Sequence, residues 1–376
     1  MAAVIDVSHA VTGDFAPSTP VRENTRVILE SGGQLPTATP MLWPTGLDEI
    51  DASHPVVGPA PDLEYYVIPN ATLSGGGALP KVDSKFVFAL SVLPAYVLHF
   101  IARDIDSEYW EHENGTRPIR LPLAISILHN NLVFGHWLTE MFPKLLMLKE
   151  FLPQFGDIPI VIPSTAPAYV RSIIAETLGN WPVIVYERFE EHVEVGNLIM
   201  PSMFHDGYQF HPRFTEVIDR HVAWSRDTLG ARWRSLLGRH ARKLFVSRRN
   251  VVSSFRELDN QAGLEAVAGE FGFQIASPEK LSWRRQVELF SYAECIVGEY
   301  GSGMHNTLFS PQGARVVCLN WIVEVQSRIA NFRRQSVGYL LPPDGKPRLF
   351  AINGAMTRYE IDPDSLRRTL AALALV

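Results

Sequence analysis

KLFVSR (243–248), LDNQAGLEAVAGEFG (258–272), FQIAS (273–277), SWRRQVELFSYAE (282–294), CIVGEY (295–300), MHNTLFS (304–310) and ARVVCLNW (314–321) decide the fold. Short β-branched and aromatic runs alternate with segments whose apolar residues recur at helical spacing, so residues 243–321 read β-α-β-α-β-α-β. Such alternation builds a parallel sheet, and open α/β sheets bind ligands outside the carboxyl ends of their strands. On the N-terminal side the basic, interrupted stretch 231–242 separates this unit from an earlier alternation. There IPIVIP (158–163), PVIVYE (182–187) and VEVGNLIMPS (193–202) read as strands, and AYVRSIIAETLG (168–179) and FTEVIDRHVAWSRDTLG (214–230) as helices. GHWLTEMFPKLLMLKEF (135–151) carries apolar residues at 138, 141, 142, 145, 146 and 148, which predicts a helix kinked at Pro143.

Two alternations in series predict an α/β protein of two Rossmann-like domains facing across a cleft. Further out, YYVIPNATL (65–73), KFVFALSV (85–92) and YVLHFIA (96–102) predict a β-rich lead-in to the first domain, with the apolar run 86–101 read as two buried strands. Proline and polar spacers dominate residues 1–60, which are expected to form a partly irregular arm. The expected domains are thus 1–60 (arm), 61–235, 236–350 and a C-terminal helix in 351–376. The amphipathic end, PDSLRRTLAALALV (363–376), can pack on the first domain, on a partner or at a membrane surface.

The chain has 376 residues, 46% hydrophobic and 20% charged, which is ordinary globular usage. Thirty-four Lys and Arg against forty Asp and Glu give a net charge of −6, so no global attraction to nucleic acid or an anionic membrane exists and any anion site must be local. Cys295 and Cys318 lie in apolar runs, which implies no disulfide framework. MAAVIDVSHAVTGDF lacks the basic start and apolar stretch of a secretory signal, and no apolar run reaches the ~20 residues of a membrane span. A cytosolic setting is the expectation.

Charge supplies the first candidate site. Between Arg226 and Arg256 stand nine basic residues and one acid, Asp227. Arg232, Arg234 and Arg239 read equally as a solvated linker, whereas Arg248 and Arg249 follow directly on a strand end, where a guanidinium fork can grip phosphate. Next, Gly298, Gly301 and Gly303 lie between a strand and a helix, a place where backbone N–H groups can meet an anion; a tight turn with Ser302 as N-cap is the plainer reading. The spacing fits neither a P-loop nor a dinucleotide fingerprint. His136 and Glu140 are four apart on one helix face, the pattern of an oriented general base and equally that of a surface His–Glu pair. His205, Asp206 and His211 lack the spacing of a tetrahedral set and read as a polar loop, so no metal is expected.

Taken together these motifs resemble glycosyltransferase family 61, in its bacterial branch of capsule and surface-polysaccharide synthesis. The resemblance runs over residues 65–320 and is carried by YVIPNATLSGGGALP (66–80), NLVFGHWLTEMFPKL (131–145), VSRR (246–249), Arg256, Asn260 and residues 272–317. It implies a GT-B type fold and an inverting, metal-independent hexosyl- or pentosyltransferase with no obligatory cofactor. A nucleotide-sugar donor and a glycan or polysaccharide acceptor follow, at the cytoplasmic face of the membrane at most. Carried onto this chain, the resemblance places Ser247, Arg248, Arg249, Arg256, Gly301, Ser302, Gly303, His305 and Asn306 at the donor diphosphate, Gln286 as support for the turn, and His136 with Glu140 as acceptor base. The chain departs from the family's common pattern at Glu299 and Tyr300, where a His usually precedes the glycine turn. A carboxylate there opposes a diphosphate unless it points elsewhere or meets a sugar hydroxyl. A non-hydrogenating nucleotide-sugar epimerase and a non-catalytic nucleotide-sugar binder fit the same residues.

Overall fold

A computed structural model describes residues 4–17, 21–35, 41–42, 58–103, 116–129, 133–207, 209–228, 242–251, 256–320, 324–345 and 356–374. Its chain divides into two compact units, Met1–Gln34 with Pro59–Phe214, and Leu35–Gly58 with Thr215–Val376. Arg232, Arg234 and Arg239 lie outside the described residues.

In the first unit, Val183–Tyr186, Ile160–Pro163, Arg117–Ile125 and Glu191–Pro201 pair in parallel, in that order, as the alternation predicts. Beyond Glu191–Pro201 the sheet turns antiparallel through Leu63–Ser74, Leu79–Val82 and Lys85–Phe88. Here the chain reverses through tight turns rather than helical crossovers. Asp83 and Ser84 both take positive φ, +48° and +61°, in the two-residue connection that joins Val82 to its partner Lys85, the conformation a twisted hairpin needs. The unit is therefore a mixed sheet, not an all-parallel one.

Two expectations fail here. The supposed arm supplies strands Val4–Asp6, Val11–Thr12 and Thr25–Glu30 to this sheet, and Met41–Leu42 to the other. Thr25–Glu30 (TRVILE) buries Thr25 and Val27 against Leu63–Ser74, an alternation that the surrounding prolines obscured. Of the apolar run 86–101, only the start is a strand. Ala95–Arg103 is an α-helix entered behind Pro94, whose carbonyl accepts the Val97 N–H, although its aromatic and β-branched residues resemble strand composition.

The expected helix over 135–151 is present with an irregular start. A π-helical segment, Trp137–Met141, precedes the α-helix Phe142–Phe151, and all five of its side chains are buried. The distortion ends where Pro143, lacking an N–H, opens the regular helix.

In the second unit, Gln274–Ala276, Lys243–Val246, Cys295–Glu299, Arg315–Leu319, Ser336–Leu340 and Met41–Leu42 lie side by side, all parallel. By chain order the first five run 2-1-3-4-5, a doubly wound sheet that reverses direction between Lys243–Val246 and Cys295–Glu299. MHNTLFS forms a 3₁₀ helix, Ser302–Phe309, rather than an α-helix, and it starts without a side-chain cap, so Ser302 is not an N-cap. The C-terminal helix Pro363–Ala374 finds its place in this unit. Leu366, Leu370 and Leu373 join Leu264, Val267 and Ala268 of the helix Gln261–Glu270 and Phe245, Val297 and Val317 of the sheet in one buried cluster. Burying apolar side chains of this size stabilises by about 1.5–3 kcal/mol each.

Candidate functional site

The first unit gathers ionisable side chains around Glu140, which has no exposed surface. Its Oε1 lies 2.7 Å from His136 Nδ1, and its Oε2 accepts from His129 Nε2 at 2.6 Å and from the Tyr96 hydroxyl at 2.7 Å. Tyr96 comes from Ala95–Arg103, and His129 from the segment after Arg117–Ile125. Burial pushes the Glu140 carboxyl up, but the hydrogen bonds from His129 and His136 prevail and hold it below the carboxylate range. It is an anion fixed at both oxygens.

Three other basic groups adjoin. Burial pushes His129 down against the opposing pull of Glu140. It drives His205 to about 4, although Glu140 and the Thr139 carbonyl, 2.8 Å from Nε2, favour its cation. It drives Lys144, buried one turn after Glu140, to about 7. His136 alone of these rings is substantially open, with 32% of its side chain exposed. Since its Nδ1–H faces Glu140, its Nε2 is the nitrogen left to accept a proton.

The second unit places its candidates where the sheet reverses. Arg248, Arg249 and Arg256 line one cavity of about 480 Å³ with Asn250, Gln261 and Glu299. Each arginine meets a carboxylate: Arg256 Nε is 2.8 Å and Arg248 Nε 3.3 Å from Glu299, and Arg249 pairs with Glu265. Arg256 also donates to the Tyr300 carbonyl. Ser247 is buried, donates to Glu265 at 2.7 Å and accepts from the Arg249 N–H at 3.2 Å. A Cβ at Gly301 would lie 2.0 Å from Arg248 Nη1, so a side chain there would displace the guanidinium. Gln286, His305 and Asn306 are buried, and they do not line that cavity. Asn306 and Gln286 support the turn instead: Asn306 donates to Gln286 at 3.2 Å and to the Gly303 carbonyl at 3.1 Å. Others in the basic stretch hold structure, Arg226 on Ser291 and over the Tyr292 ring, Arg242 on Glu294 and Lys243 on the Phe271 carbonyl.

Residues 134–317 match the family model Glycosyltransferase 61. The match spans a little under half of the chain, from the short helix Phe134–His136 that leads into the π-helical segment to strand Arg315–Leu319, and supports a glycosyltransferase, with a donor and an acceptor substrate. No curated protein matches the chain.

For a glycosyltransferase the matched span holds His136, Glu140 and every candidate donor residue, whereas Tyr96 and His129 precede it. Tyr96 and His129 escaped the sequence reading because neither shares a motif with Glu140; Lys144, four residues on and within the quoted stretch 131–145, was open to helical spacing but not singled out, and His205 reads only as part of a polar loop. Glu265 and Gln261 were equally silent as ordinary polar helix positions. His211 sits apart from this cluster and accepts the Arg213 N–H. Among the described residues no three His, Cys, Asp or Glu come together as a metal site, and no helix is long and apolar enough to cross a membrane.

Proposed function

We propose that this protein is an inverting, metal-independent glycosyltransferase that moves a sugar from a nucleotide-sugar to a hydroxyl of a glycan or polysaccharide precursor. The observation that carries the reading is the cavity of three arginines at the carboxyl ends of Lys243–Val246 and Cys295–Glu299, the switch point where a doubly wound sheet takes its ligand. In this reading the second unit holds the donor and the first the acceptor, the division of labour of a GT-B enzyme. The acceptor is a capsule-type glycan reached from the cytoplasmic side, and the enzyme a hexosyl- or pentosyltransferase.

His136 Nε2 removes the proton of the acceptor hydroxyl while Glu140 holds the ring and stabilises the imidazolium. The acceptor oxygen attacks the anomeric carbon, the bond to the phosphate oxygen breaks, and the nucleoside diphosphate leaves with its charge met by guanidinium groups. Glu299 is engaged by two arginines and so does not stand as a bare charge against the phosphates. That removes the main motive for a non-catalytic binder.

Thermal unfolding against UDP-, GDP-, TDP- and CMP-sugars tests the donor site, since a ligand at 100 times its dissociation constant stabilises by ~2.7 kcal/mol. A selective shift is expected, lost in Arg248→Ala; no shift with any of them in the folded protein refutes the reading. Interconversion of a bound nucleotide-sugar without acceptor would instead establish an epimerase.

A further inference from the structure

Glu299 ends a central strand of the parallel sheet with 5% of its surface exposed, in the lining of the cavity that holds Arg248, Arg249 and Arg256. Counted as a charge it works against phosphate. Its geometry gives it another task. Each carboxylate oxygen takes one arginine, and each takes it by Nε: Oε1 with Arg256 at 2.8 Å, Oε2 with Arg248 at 3.3 Å. A contact at Nε fixes the rotation of the guanidinium plane and leaves the opposite side of the fork, at Nη1, for another partner. For Arg248 that side reaches the space beside Gly301, where no side chain stands. Arg256 is held a second time, by the Tyr300 carbonyl, with its guanidinium 5.6 Å from the Tyr300 ring centre. Arg248 and Arg256 side chains are only 18% and 9% exposed, so two long cations are kept in one place each.

We infer that Glu299 is a positioning residue of the phosphate site: braced by Arg256, which is itself fixed on the Tyr300 carbonyl, it holds Arg248 by Nε so that the Nη1 side of Arg248 is presented to a diphosphate beside Gly301. This rests on the donor-site reading above. Glu257 and Asp259 also line the cavity and pair with Arg358, so with Glu265 and Glu299 four carboxylates stand against four arginines and the site has no surplus of cation to draw an anion by charge alone. The inference and a simple charge count give opposite signs. Removing the Glu299 charge should tighten anion binding if only net charge matters, and weaken it if the carboxylate orients Arg248.

The experiment is calorimetric titration of the full chain with inorganic pyrophosphate, UDP and GDP. Wild type binds at least one of them; Glu299→Gln binds it at least tenfold more weakly, despite carrying one negative charge fewer, with thermal unfolding confirming the fold. In an Arg248→Met background the same change costs clearly less, because the group it orients is gone. Glu299→Asp covers the case in which the glutamine variant does not fold. It keeps the charge but is too short to hold both arginines, so binding falls, whereas a charge count predicts no change. Equal or tighter binding by Glu299→Gln, unchanged binding by Glu299→Asp, or full additivity with Arg248→Met overturns the role given to Glu299. Failure of wild type to bind any of the three probes overturns the donor-site reading itself, and with it this inference.

Discussion

Lys144→Met should make the protein more stable at pH 6 and less active, and the stability gain should shrink as the pH rises. Burial pushes the Lys144 ammonium from 10.5 to about 7, against the favourable pull of Glu140. The folded chain therefore binds this proton less readily than the unfolded chain. At 1.36 kcal/mol per unit, a folded-state value ~3.5 units low costs about 5 kcal/mol wherever both states carry the proton, that is below pH 7. Between pH 7 and 10.5 the unfolded lysine stays charged while the folded one does not, so the cost falls steadily, to about 2 kcal/mol near pH 9. Methionine fills the same volume without a charge.

Urea unfolding of wild type and variant from pH 6 to pH 9, with the midpoint and slope fitted at each pH, measures the difference directly. The variant should lead by several kcal/mol at pH 6 and by less at each step upward. A variant less stable than wild type at pH 6, or a gap that stays constant across the range, would refute the assignment of Lys144 as a buried, strained cation. Transfer activity should fall in the same variant, because Glu140, which holds the His136 ring, then lacks its nearby cation. Stability and activity moving in opposite directions is what a group retained for chemistry shows, not one retained for packing.

Two further outcomes are expected. His136→Ala should lower the transfer rate by about 10²–10⁴-fold, the usual contribution of a positioned base, while donor affinity measured by titration stays within about twofold. Glu140→Gln should be less stable than wild type at neutral pH, and urea unfolding should show the gap closing as the pH falls below 4.5, because a carboxyl held below its ordinary value contributes stability above the unfolded value and loses it on the acid side.

Four of the six strands of the second sheet were legible as short apolar runs, and three of them, Lys243–Val246, Cys295–Glu299 and Arg315–Leu319, are buried almost throughout, as the strands of a parallel array are. Arg248 and Arg249 were legible for the same reason, as charges placed directly after a buried strand. Failures came where composition and context disagree. AYVLHFIAR has strand-like residues but starts behind a proline and satisfies its backbone as a helix, and TRVILE has strand-like residues in a region whose prolines suggested none. Around Glu140 the sequence showed one pair and the fold supplied Tyr96, His129, Lys144 and His205, brought in from separate elements across more than a hundred residues. Spacing can show partners on one helix; it cannot show partners that meet only when the sheet closes.

The same use of a carboxylate recurs in both units. Glu140 takes His136 on one oxygen and His129 on the other; Glu299 takes Arg256 on one and Arg248 on the other; Glu265 takes Ser247 and Arg249. A carboxylate engaged at both oxygens is a poor nucleophile and a poor base, because either role requires it to give up a charge-assisted hydrogen bond in a buried place. The reactive work then falls to the groups such carboxylates hold, an imidazole in the first unit and guanidinium groups in the second. A double displacement through a glycosyl-enzyme would ask Glu140 to release His136 or the pair of Tyr96 and His129 in order to attack. A single displacement asks nothing of it beyond the charge it already carries, and that difference favours inversion at the anomeric carbon as the course of the proposed reaction.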